Sequence, residues 1–423
     1  MVPYLKKASP LFKMAGPVLA LLAGMGLPAS GITGTLSGLV THHVAGSNSP
    51  GDGDSLSEST PGTNLPATTP PASTTSTTTP QVPAPPSSTP PGSKGQPGAD
   101  VGPPPATQTP STTQPPSVQS AGMLLPGTQC PAFPADNVWN TPITDLPVNA
   151  DSSTWLASMD ASTTFLHPDY GPSGGTPYGI PWQIVSPSQP LISIDFTYES
   201  ESDPGPYPLS ASTPIEQGSD AHAIMVNPST CTLYELYDTN YVPDGQSTAG
   251  SGAIWSLDSD ALRPAGWTSA DAAGLPILPG LVNYDEVASG AMNHAIRFTA
   301  ECTTEAYIWP ARHEAGQDDP DCPPMGARFR LDASFDLPSS QCDAMCQTVI
   351  TTMKTYGLIL ADNGSNWYFQ GTSDTRWTDQ DVDQLKAIPA SAFVAVDESC
   401  LMVSSDSGQA YQPGTSAFAS HCG

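Results

Sequence analysis

The chain has 423 residues, with 12 Lys+Arg against 40 Asp+Glu, a formal net charge of -28 and a sequence pI near 4.1. That balance excludes nucleic acid as a partner, because phosphate binding rests on Lys and Arg, and it argues against adsorption on anionic lipid. Charged residues make up only 12% of the chain, so the surface is near neutral with an acidic tilt, and a neutral substrate is the easier expectation.

Taken in chain order, residues 1–31 read as an export signal. Lys6, Lys7 and Lys13 flank an apolar run from Pro17 to Leu27, and small residues follow at Ala29, Ser30 and Gly31. No fixed charge occurs from Met14 to Gly46, and about 20 apolar residues span a bilayer. The segment can therefore be a cleaved signal peptide or a retained signal anchor that tethers the chain to a membrane. Either form exports the rest. Residues 32–126 are dominated by Pro, Thr, Ser and Gly, as in TTPPASTTSTTTPQVPAPP. Such a stretch buries too little surface to offset ordering entropy and is expected to be a disordered linker.

Residues 127–423 have the mixed composition of a globular domain, long enough for a large single core. All eight cysteines lie here. An even number in an exported chain predicts up to four disulfides, with on the order of a hundred possible connectivities. No CxxC occurs, and Cys342 and Cys346 carry no histidine at zinc-ligand spacing, so neither metal nor other cofactor is expected.

Most of the domain reads as strand. LISIDFTYE (Leu191 to Glu199) alternates apolar and polar residues. His222 to Val226 and Cys231 to Tyr237 predict a hairpin across Asn227 to Thr230. His294 to Phe298 and Ala306 to Trp309 predict a second one. Ala327 to Leu331 places Arg328 and Arg330 on one strand face. Helices are predicted over Asp343 to Tyr356, with Gly357 as its stop, and Thr378 to Ile388, opened by a Thr-x-x-Asp cap. The strand Leu358 to Ala361 lies between them. The expected class is mainly β with a few helices (α+β), a β-sandwich or jelly-roll-like single domain.

GxxxxGK[ST], GxSxG, HExxH and EF-hand patterns are absent. The chemistry that remains rests on carboxylates, histidines and arginines. Asp220 and His222 in SDAHAIMV share a strand face, as residues i and i+2 do. His294 in MNHAIRFT points with Ile296 and Phe298. Each histidine is either an acid/base group lining a pocket or a core side chain satisfied by a carbonyl. YIWPARHE ends a strand with Arg312 and His313, in a chain with only six arginines. Arg312 can clamp a buried carboxylate with its fork or polarise a substrate oxygen. Glycosidase chemistry needs one protonated and one ionised carboxyl group. Its candidates include Asp195, Glu199, Glu201, Asp203, Glu235, Asp285, Glu286, Glu314 and Asp362. ADNGSNWY adds Asn363, Asn366, Trp367 and Tyr368, amides beside aromatic faces that suit a sugar, or else a tight turn over core aromatics.

NVWNTPITDLPVNADS, GSDAHAIMV, LPILPGLVNYDEVASGAMNHAIRFT, YIWPARH, PPMGARFRLDASFDL and YGLILADNGSNWY together resemble a group of exported bacterial proteins of unassigned activity. The resemblance spans roughly 137–397 and implies one exported domain without naming a reaction. The expectation is a secreted or surface-tethered carbohydrate-active protein, foremost a glycoside hydrolase acting on an extracellular polysaccharide or cell-wall glycan. Its catalytic candidates are Asp220, His222, Glu286, His294, Arg312, His313 and Asp362. A non-catalytic glycan-binding or adhesion domain is the alternative, and a polysaccharide lyase the third reading.

Overall fold

The computed structural model describes residues 124–423. The expected signal segment and nearly all of the expected linker lie outside the described residues. Helix α1 (Ser152–Ser158) is followed by β1 (His167–Asp169), β2 (Gly171–Ser173), β3 (Thr176–Tyr178) and β4 (Trp182–Ile184). Then come β5 (Ile194–Phe196), β6 (Ala223–Asn227), β7 (Thr232–Tyr237), β8 (Ser247–Ala249) and β9 (Ser251–Ser256). Helix α2 (Tyr284–Ser289) precedes β10 (Ile296–Ala300) and β11 (Arg328–Leu331). The chain ends with α3 (Ala344–Thr355), β12 (Leu358–Asn363), β13 (Tyr368–Gln370), α4 (Asp379–Asp383), β14 (Phe393–Val396) and α5 (Ser416–Cys422). The domain is mainly sheet with a few helices and no closed barrel.

A six-stranded sheet has the order β1-β13-β10-β12-β11-β14, and a four-stranded sheet the order β4-β6-β7-β9. Both are mixed: β10 runs parallel to β12 but antiparallel to β13, and β4 runs parallel to β6. The predicted hairpin of β6 and β7 forms, with Ala223 opposite Leu236. Its side chains divide by strand alternation. Ile224, Val226 and Leu233 enter the large core shared with the six-stranded sheet, whereas Ala223, Met225 and Leu236 enter a smaller core with Tyr207 and Leu209. This hairpin is buried on both faces, which is why its sequence is apolar almost throughout.

The second predicted hairpin does not form. Both edges of β10 are occupied by β12 and β13, so Ala306 to Trp309 has no ladder to join. Tyr307 makes a single parallel bridge to Met325 instead. Of the predicted strand Leu191 to Glu199, Ile194–Phe196 pairs, with β8. The first predicted helix forms as α3, and the second is α-helical over Asp379–Asp383 and tightens to a 3-10 turn over Gln384–Ala387. Asp343 caps α3 by accepting from the amides of Met345 and Cys346, and Thr378 and Asp381 close a capping box on α4.

Arg328 and Arg330 lie on one face of β11, as alternation requires. Arg328 is fully buried and donates to the carbonyls of Val138, Thr141 and Tyr356 and to Glu398 at 3.2 Å. Arg330 donates to the carbonyls of Ile143, Thr144 and Leu146. Scarce cations thus fasten the segment before α1 through carbonyls that lie ahead of its bridge to β14 at Val148. Glu235 is sealed in the core and accepts from the amides of Ile277 and Leu278 and the indole of Trp255. Its carboxyl is held entirely by these main-chain and indole donors and faces no solvent.

All eight cysteines pair, as Cys130–Cys231, Cys302–Cys322, Cys342–Cys346 and Cys400–Cys422. The first closes a separation of 101 residues and ties the start of the domain to the β6–β7 turn. Chain entropy assigns a loop of that length about 4.7 kcal/mol. The double variant C130A/C231A is expected to lose about 2–5 kcal/mol, read as a drop in urea midpoint. An unchanged midpoint would show that the crosslink does not restrict the unfolded chain.

Candidate active site

The six-stranded sheet presents one polar face. Phe298 pairs with Phe369, so Arg297 and Gln370 are the next opposed positions, and Asp169 pairs with Gln370. Asp362 joins this face through a β-bulge. Phe298 lies opposite Leu360, but Thr299 lies opposite Asp362, so Ala361 is the extra residue. Without the bulge Asp362 would turn to the core side. Bulges re-aim side chains in this manner beside active sites.

Arg297 is the centre of the group. It is buried and grips the fully buried Asp271 with two bonds, Nε to Oδ2 at 2.9 Å and Nη2 to Oδ1 at 2.7 Å. Its Nη2 also lies 3.6 Å from Asp362 Oδ2. Burial, and next the charge of Asp271, push the Asp362 carboxyl up to about 8, opposed by Arg297. About a quarter of its side chain (24%) stays open to solvent, so a ligand can reach it. Burial also raises Asp169, opposed by the Gln370 amide.

His222 closes the site from the start of β6. Its Nδ1 meets Glu216 Oε2 at 2.5 Å and its Nε2 meets the Ala270 carbonyl at 3.1 Å. Burial alone would lower this histidine, but Glu216 raises it. Glu216 also donates its backbone amide to the His222 carbonyl, which staples the intervening loop. The Tyr237 ring lies 5.9 Å from the imidazole.

One irregular loop, Thr268 to Gly274, holds these parts together. Ala270 serves His222, Asp271 serves Arg297, and the Ala272 carbonyl meets His313 Nδ1 at 2.8 Å. Ser269 knots the loop by donating to the carbonyls of Asp271 and Leu275. Gly274 ends it at φ +67, where a Cβ would sit 2.4 Å from the Trp267 carbonyl oxygen; only glycine fits there.

The sequence-derived residues thus divide. His222 and Asp362 belong to the site, and Asp220 is exposed at the edge of the Glu216–His222 loop. Asp220 and His222 do not share a strand face: Ala221 sits at φ +44 and the strand begins at Ala223. His313 lies at the far side of the Ala272 loop, 3.6 Å from Glu201. Glu286 and His294 pair with each other at 3.0 Å, and His294 Nδ1 meets the Ala295 carbonyl. They form a separate buried pair. Arg312 does not stand beside His294. It donates to the carbonyls of Arg263 and Ser405 and to Asp406, which is 78% exposed. The clamp on a buried acid expected of Arg312 is found at Arg297 instead.

Among the aromatic-amide residues, Trp367 is 0% exposed and donates to the Met159 carbonyl, so it is core and not a stacking platform. Tyr368 stacks on His167 at 4.0 Å. Asn363 donates to Thr303 and Asn366 accepts from the Glu301 amide, binding this turn to the end of β10. The residues that pattern reading passed over are Asp169, Glu216, Asp271, Arg297 and Gln370. The rarity of arginine was the available signal for Arg297; Asp271 sits in a loop of small residues with no period to reveal it.

Two open hollows of about 400 and 450 Å³ lie elsewhere. The first is lined by Trp182, Asn283 and Arg376, whose exposed charge is already neutralised by Asp374 and Asp285. The second runs along the threonines of α3. Neither includes Arg297 or Asp362. Cys302, Asp319 and Cys322 lie close enough together to hold an ion, but the two sulfurs bond each other. Among the described residues no helix is long and apolar enough to cross a membrane.

Comparisons with protein-family models, curated proteins and solved structures give no match.

The raised Asp362 carboxyl has a consequence for stability. Its folded value near 8 exceeds the ordinary aspartate value of 3.8, so the folded chain holds a proton that the unfolded chain releases. Its stabilising contribution is complete below about pH 4 and is lost as pH rises toward 8. Urea midpoints compared between pH 5 and pH 8.5 are expected to fall further for the wild type than for D362N. Equal falls would mean that Asp362 titrates normally.

Proposed function

We propose that this domain is a secreted or surface-tethered carbohydrate-active enzyme, a glycoside hydrolase acting on an extracellular polysaccharide. The observation that carries it is the meeting of Asp362, open to solvent, with Arg297, already committed to Asp271, on the sheet face that also bears Asp169. Asp362 serves as general acid toward the glycosidic oxygen. Asp169 serves as the base that activates water. The strand order β1-β13-β10-β12 sets these residues three strands apart, at about 4.8 Å per step. That is on the order of 14 Å between the two backbones, wider than the roughly 6.5–9.5 Å between the carboxyl groups of inverting enzymes. The side chains must therefore lean toward each other for one water to bridge them, and the strand spacing fixes no anomeric outcome.

Four disulfides agree with folding in an oxidising compartment. The sequence resemblance to exported bacterial proteins adds export and no reaction. Stacking of the two larger sheets as a sandwich with helical cover is part of the same reading, supported by the core they share. A lyase fits less well, since both Arg297 and Arg312 are spent on protein groups and none is free for a uronate.

The test is incubation of the full chain with a panel of polysaccharides, reading new reducing ends and the anomer first released. Release abolished in D362N supports the assignment. No release from any glycan, with binding retained, would replace it by the non-catalytic binding domain.

A further inference from the structure

The site is acid-lined, and its cations are occupied. Arg297 is taken by Asp271, His222 by Glu216, and His313 faces Glu201. Asp169, Glu216 and Asp362 each keep part of their surface, and Asp220 is exposed. Tyr178, 39% exposed, lies within the field of Asp169, Glu216 and Asp220. Tyr237, on the His222 side, lies within the field of Asp220, Asp238 and Asp362. A second, independent feature is Gln370. It is only 6% exposed, lies in register with Asp169 and opposite Arg297, and its carbonyl oxygen Oε1 has no hydrogen-bond partner. A buried amide oxygen without a donor costs about 1–3 kcal/mol, a cost that a ligand N–H relieves.

Carboxylates, tyrosine faces and an unpaired acceptor, with every nearby cation already paired, form the recognition chemistry of an ammonium group. They repel a uronate and give a neutral sugar no use for the charge. We propose that this acid-lined face selects a glycan bearing free amino groups, a polymer of glucosamine type, over its N-acetylated and uronate counterparts. The inference rests on the hydrolase reading for turnover but not for binding. Tyr178 and Tyr237 supply faces for the charged sugar, and the exposed Asp220 its counter-charge.

The experiment titrates the full chain carrying D362N, which slows turnover, with glucosamine, N-acetylglucosamine and galacturonate hexamers at pH 6. The expected result is binding of the glucosamine hexamer at least about tenfold tighter than either other hexamer, weakening as salt screens the charges. Adding Asp220→Asn, an exposed change that spares the fold, is expected to weaken the glucosamine hexamer several-fold and leave the acetylated one unchanged. Equal or tighter binding of the acetylated or uronate hexamer, or salt-independent binding, overturns the proposal. So does an absence of binding to all three. If neutral glycans are cleaved by the wild type in that case, the hydrolase reading survives; if the glucosamine hexamer binds but no glycan is cleaved, the selectivity stands and the hydrolase reading falls.

Discussion

Replacing Asp362 by asparagine is expected to lower turnover of a cleavable glycan by about 10²–10⁴-fold, the usual contribution of a general acid, with much less change in KM. The amide keeps the side-chain volume, and its nitrogen can still donate to a sugar oxygen, but it has no proton to transfer. The loss should therefore appear in kcat. It should also shrink for substrates whose leaving group departs without protonation, such as activated aryl glycosides. Wild-type activity should fall as pH rises past the carboxyl near 8, the direction expected when the protonated form is the active one. A D362N enzyme with normal kcat on unactivated glycan would remove Asp362 from the mechanism.

The largest effect on stability is expected at Arg328. R328M leaves Glu398 buried without its counter-charge and the carbonyls of Val138 and Thr141 without that donor. Breaking a buried pair from one side costs about 3–5 kcal/mol, read as a drop in urea midpoint. Burial already lowers the Arg328 guanidinium and raises Glu398 to about 7, so neither group is comfortable alone. A second variant separates the ion pair from the carbonyl clamp. Apolar replacement of both members of a buried pair is often near neutral. R328M/E398L should nevertheless remain destabilised, because the carbonyls still lack their donor. Full recovery in the double variant would assign the whole effect to charge.

Local pattern carried much of the fold. The β6–β7 hairpin, α3 with its Asp343 cap, the capping box of α4 and the strand at Leu358 were legible because turn residues, caps and periodicity are nearest-neighbour properties. The pairing of β10 was not. His294 to Phe298 looks like half of a hairpin, yet its partners arrive from Leu358 and Tyr368, more than sixty residues later, and no local signal announces them. The site suffered the same limit. Asp362 and His222 stood out as titratable groups at strand ends. Arg297 occupies what reads as an ordinary core position, and its role appears only once Asp271 arrives from a loop of small residues. Trp367 followed the second of its two readings: amides beside aromatic faces suited a sugar, but the tight turn over core aromatics is what forms, and the residue at φ +64 folds back into the core.

The loop from Thr268 to Gly274 gives adjacent backbone positions to His222, Arg297 and His313, and it is neither helix nor strand. Ala270 and Ala272 contribute carbonyls, not side chains, so at those positions spacing matters more than side-chain identity, whereas Asp271 between them must keep its carboxylate. A one-residue insertion or deletion there would shift all three partners at once. Length invariance at this segment, set against freedom in its neighbours, is the signature to look for when further sequences of this kind are aligned.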